Sequence, residues 1–70
     1  MNYTIISTEI HEETSTVFVA TMKTATVEGE TIELGIHRWS AAPDADISHM
    51  PQNVQDRITL VRAQIAAANA

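Results

Sequence analysis

Glu9, His11 and Glu13 stand at i, i+2 and i+4, so an extended chain would carry two carboxylates and an imidazole on one side. Such a set can hold zinc and leave one coordination position open for water. The surroundings argue against it. His11-Glu12-Glu13-Thr14-Ser15 is a polar run with the character of a turn. Alternation breaks down at a turn, and a hairpin tip offers no second layer of side chains to orient ligands. His37 and His49 have no ligating partner at strand or helix spacing. The expectation is a solvated turn and no metal site.

A second set of oxygens lies at Asp44-Ala45-Asp46-Ile47-Ser48. This stretch resembles the first five positions of an EF-hand calcium loop, D-x-D-x-S. The resemblance then stops. The sixth position, Gly in such loops, is His49, and the twelfth, a bidentate Glu, is Gln55. Short Asp and Ser side chains also hold turns by bonding nearby backbone, and that is the use expected here. The machinery of catalysis is missing too. There is no G-x-S-x-G, no Cys and no H-E-x-x-H, and Gly29 and Gly35 are the only glycines, too few for a phosphate loop. The hydroxyls between Thr14 and Thr31 follow from strand propensity. No catalytic residue, cofactor or metal is expected, and the chain reads as a non-enzyme.

His37-Arg38-Trp39 is the remaining group with distinctive chemistry. On a strand, His37 and Trp39 share one face and Arg38 points away. Tryptophan and arginine concentrate at the centres of interfaces. In so small a domain the single Trp is equally needed for packing.

These residues sit in a β-forming block. Thr, Val, Ile, Phe and Tyr dominate positions 3–39, which predicts strands at about 3–10, 16–27 and 31–39. Glu28-Gly29 is the best turn signal, because Gly accepts positive φ without steric cost. A two-residue turn there opposes Val27 to Glu30. One face then carries Val17, Val19 and Thr21 beside Ile32, Leu34 and Ile36; the other carries Phe18, Ala20 and Met22 beside Trp39, His37 and Gly35. A three-residue loop shifts the pairing by one and groups Phe18, Ala20 and Met22 with Ile32, Leu34 and Ile36. Turn geometry favours the first. Either register leaves apolar residues on both faces of the second strand.

Residues 40–51 form an irregular connection punctuated by Pro43 and Pro51. Residues 52–68 lack Gly and Pro and are rich in good helix formers. Val54, Ile58, Val61 and Ile65 make an apolar stripe that should pack on the sheet. Leu60, Ala63 and Ala67 fall on nearly the opposite side, where small residues would permit close approach of another helix. Alanine's helix propensity alone explains two of those three. The predicted fold is α+β: a three-stranded antiparallel meander with one C-terminal helix on one face, β-β-β-α, in a single domain.

One helix cannot cover two faces of a sheet. Seventy residues also bury too little surface for comfortable stability, and without Cys no disulfide can help. A partner chain is the natural remedy. The interface residues expected are Phe18, Met22, His37 and Trp39 on the second sheet face, with Leu60, Ala63 and Ala67 on the helix. The formal charge is −5, all of it in residues 1–35, which argues against direct binding to nucleic acid or anionic membranes. No secretory signal and no membrane span is read from the sequence. The expected function is a structural or interaction protein of the cytoplasm or a virion, such as a bacteriophage-type decoration, connector or tail component. The rival is an acidic inhibitor occupying the basic groove of a nucleic-acid-processing protein.

Overall fold

Alternating β-branched residues lay down three consecutive strands, and the Gly- and Pro-free tail winds into a helix. In the computed structural model, which describes residues 2–69, these are β1 (Asn2–His11), β2 (Thr16–Val27), β3 (Glu30–Ala41) and α1 (Gln52–Ala68). The strands form one antiparallel sheet in the order β1-β2-β3, with β2 central and both flanking strands at an edge. The predicted β-β-β-α meander is the observed fold.

Glu28 and Gly29 both have positive φ, 52° and 82°, and Val27 pairs with Glu30. That is the two-residue hairpin whose twist matches the strands. From it the pairing runs through Ala25–Ile32 to Thr24–Glu33. It then slips by one residue, so that Lys23 faces Gly35 and Val19 faces Trp39. Leu34 is the extra residue of a bulge, and Gly35 absorbs the distortion at φ 124°, which side-chain-bearing residues rarely adopt. A one-residue slip exchanges faces. Both registers considered from sequence are therefore present, the two-residue register at the tip and the shifted one beyond the bulge. The expectation that Trp39 and His37 share the face of Phe18 and Met22 is corrected by this slip.

The rows Ile10–Val17–Ala41, Thr8–Val19–Trp39 and Ile5–Thr21–His37 lie under the helix. Val54, Ile58 and Val61 are buried against Val17, Val19, Ala41 and Met50, with Ile5, Trp39, Ile47 and Ile65 closing the margins. Thr21 is the one buried polar side chain among the described residues, and its bonds are complete. Its hydroxyl donates to the His37 carbonyl at 2.8 Å and accepts from Trp39 Nε1 at 3.1 Å.

The connection is tied down by side chains. Arg62 donates to the carbonyls of Ala42 (2.7 Å) and Ala45 (3.1 Å). Gln55 donates to the Met50 carbonyl at 2.7 Å. Pro51 precedes the helix, and its carbonyl accepts from the Val54 and Gln55 amides at 3.0 Å. No helix of the described residues is long and apolar enough to cross a membrane.

Candidate interaction surface

The helix is shorter than the sheet it packs on. Seventeen helical residues span about 25 Å, whereas the twelve of β2 reach about 40 Å. Asn53, in the first turn of α1, bonds the Tyr3 carbonyl, and Arg57 bonds the Thr8 hydroxyl at 3.0 Å. At the far end Ile65 and Ala68 lie beside Ile10 and Ser15. The helix thus runs from the middle of the sheet to the β1–β2 turn. The β2–β3 hairpin projects past it, and the molecule measures 50 × 18 × 16 Å.

This bare arm is apolar. Val27, Ile32, Leu34 and Ile36 are between 41% and 56% exposed, and every β3 residue from Glu30 to Arg38 is exposed. Ile32, paired with Ala25, continues the face that the helix covers further down. The outer edge of β3 has no strand beside it, a row of backbone donors and acceptors open to another chain. An aromatic cluster marks where the covered base ends. Tyr3 and Trp39 rings meet edge-to-face with centroids 5.4 Å apart, and His37 lies 4.2 Å from Trp39.

The opposite sheet face has no covering element. Its rows are Glu9–Phe18–Ser40, Ser7–Ala20–Arg38 and Thr4–Met22–Ile36. Small Ala20 between larger neighbours leaves a shallow concavity of about 460 Å³, lined by Ser7, Glu9, His11, Phe18, Ala20 and Arg38. The His11 ring sits 4.9 Å from that of Phe18. An apolar strip along the central strand is thus rimmed by an acid on one edge strand and a guanidinium on the other. Arg57 and Arg62 spend their guanidinium groups on Thr8 and the connection, whereas Arg38 has no ion-pair or hydrogen-bond partner among the described residues.

Of the residues singled out from sequence, Phe18 and Met22 do share this uncovered face. Trp39 and His37 lie on the helix side, where Trp39 packs on the core. Leu60 is 55% exposed, and Ala63 and Ala67 are exposed beside it on the outer helix surface. Arg38, read as pointing away from Phe18, borders it instead. Gly35 is the signal that could have revealed this, because an isolated Gly inside a strand pattern commonly marks a bulge.

The sets considered for metals are used locally or kept apart. Asp46 accepts the Ser48 amide at 2.9 Å. That N–H first, and the Ser48 hydroxyl second, hold its carboxyl below the ordinary carboxylate range, with the His49 charge adding to them. Glu9 and His11 lie within β1 and Glu13 in the following turn. Among the described residues no three His, Asp or Glu side chains converge on a common point. No family model, curated protein or solved structure matches the chain.

Proposed function

We propose that the chain is a non-enzymatic assembly subunit whose projecting β2–β3 arm is received by another protein surface. The observation that carries this is the exposure of Val27, Ile32, Leu34 and Ile36 on a hairpin that the helix does not reach. A two-stranded ribbon alone is marginal in water, and an exposed apolar edge invites pairing. Such a feature suits a chain whose surface is completed by neighbours. A virion accessory subunit of bacteriophage type, as decoration, connector or tail component, is the specific form proposed, because repeated small chains complete one another's surfaces in symmetric arrays. The chain acts in the cytoplasm or the virion, without direct contact with nucleic acid.

The acidic-inhibitor reading has less support. Glu12 and Glu13 lie in the β1–β2 turn, whereas Glu28 and Glu30 lie at the opposite end of β2. Acids about 40 Å apart do not form the continuous stripe that imitates a phosphate backbone.

Light scattering over a wide concentration range tests the proposal on the wild type and an Ile32→Ser/Leu34→Ser variant. Assemblies larger than the single chain should form, and the variant should shrink them with its melting temperature unchanged. A wild type that stays monomeric, with a variant that melts earlier, would make the arm part of the fold and overturn the reading. Replacing Glu12, Glu13, Glu28 and Glu30 by Gln should leave assembly largely intact. Its loss, with the fold preserved, would favour the inhibitor.

A further inference from the structure

We propose that the uncovered sheet face binds a second copy of this chain, face to face, about a two-fold axis running along β2. This rests on the assembly reading but concerns a different surface from the arm. Three observations carry it.

The first is the charge pattern. Glu9 on β1 and Arg38 on β3 flank the Phe18-Ala20-Met22 strip from opposite edges, one row apart. A two-fold axis parallel to the strands and midway between two stacked sheets lays β1 of one copy over β3 of the other. Glu9 then meets the second copy's Arg38, and symmetry makes the contact twice. An axis perpendicular to the strands would stack β1 on β1 and bring the two Glu9 carboxylates to the same edge. The face is self-complementary in the first arrangement only.

The second is the chemistry along the axis. Phe18, Ala20 and Met22 stack on their own counterparts and form the dry centre, while Ser7, Ser40 and Thr4 make a rim that is polar except at Ile36. Apolar centre and polar rim are the anatomy of a specific interface. Small Ala20 meets the facing Ala20, so the two concavities face each other between the Phe18 and Met22 contacts. Aligned sheets pack about 10 Å apart.

The third is area. A face about 40 Å long and three strands wide, about 15 Å, offers roughly 600 Å² per copy. The total of roughly 1,200 Å² reaches the lower end of specific interfaces. That length includes the arm, so the product is a four-layer α/β/β/α particle with both helices outside and the two arms side by side at one end. Because the axis runs along the strands, both acidic tips lie at the same end, and their repulsion makes pairing tighter as salt is raised.

Charge reversal on the Ile32→Ser/Leu34→Ser background separates this pairing from docking of the arm. Sedimentation velocity should find a two-chain species there. Glu9→Arg alone and Arg38→Glu alone should each raise its dissociation constant by about tenfold or more, because an attraction made twice becomes a repulsion. The combined Glu9→Arg/Arg38→Glu chain should return to within about threefold of the parent, as restored pairs require. Circular dichroism on the same samples checks that each variant is folded, and Ala20→Glu gives a further folded test by burying an unpaired carboxylate at the centre. A monomeric background variant, or a dimer indifferent to both reversals and to Ala20→Glu, would overturn face pairing. If arm-dependent assemblies persist in the wild type, the assembly reading stands without it. A wild type monomeric throughout would overturn both.

Discussion

The base and the arm of this sheet are built from the same residue types and meet opposite fates. In the base, Val17 and Val19 are fully buried beneath Val54, Ile58 and Val61. In the arm, Ile32 continues the same face and remains 41% exposed. Composition does not separate them; helix length does. Seventeen helical residues anchored at one end of the sheet reach only to Tyr3, and the register slip at Leu34 marks the boundary. Apolar surface therefore divides into a part that holds this chain together and a part that no element of the chain covers.

Truncating one large side chain in each region should expose the contrast most strongly. Ile58→Ala should cost about 2–5 kcal/mol, the range for emptying a buried aliphatic site. Ile32→Ala should stay within about 0.5 kcal/mol, as exposed substitutions usually do. Urea melts of the two variants, at a concentration where the chain is monomeric, give the comparison. Equal losses would mean that the arm belongs to the core.

Trp39 sharpens the boundary. It is half-buried, packs on the core and donates to the buried Thr21 hydroxyl. Trp39→Ala should therefore destabilise the monomer by about 2–4 kcal/mol, around the lower end of the usual cost for a large aromatic. Any loss of assembly should follow the loss of fold. Intact stability with abolished association would return Trp39 to the interface expected from the two-residue register.

Much of this division was legible in the sequence. The three strands, the Glu28-Gly29 turn, the Val54-Ile58-Val61-Ile65 stripe and the apolar residues on a second sheet face all follow from residue types and spacing. The assignment of Trp39, His37 and Arg38 to faces did not, because it depends on one inserted residue. Reading the register outward from the turn is correct as far as Glu33 and inverted beyond Leu34. Gln55 falls outside the Val54-Ile58-Val61-Ile65 stripe, yet its amide supports the Met50 carbonyl just before the helix. Periodicity marks which residues face the sheet and is blind to a polar side chain that reaches back to cap a loop.

The tip of the arm gives a smaller effect that tests the hairpin itself. Gly29→Ala places a side chain at φ 82° and should cost about 1 kcal/mol or slightly more. Glu28→Asn should act in the other direction by a few tenths of a kcal/mol, because Asn tolerates the left-handed region better than Glu. Differential scanning calorimetry resolves the order of the two. Matching losses would contradict the two-residue turn.

Asp46 supplies the smallest effect and concerns the base. Its folded pKa lies below the ordinary value, so its ionised form is favoured by folding. The contribution is therefore present at neutral pH and lost as pH falls below about 4, through the folded pKa. Asp46→Asn should flatten the acid side of the stability profile slightly and leave the arm's behaviour unchanged. A profile identical to that of the wild type would remove Asp46 from the account.

Residue-resolved hydrogen exchange on the chain diluted to a monomer tests the central division most directly. Amides of Val17 to Thr21 and Val54 to Val61 should exchange only through global unfolding. The β2–β3 amides from Thr24 to Glu33 should exchange much faster, through local opening of an uncovered ribbon. Arm amides protected as strongly as those of the base would show one cooperative unit, and would contradict a bare arm held ready for a partner.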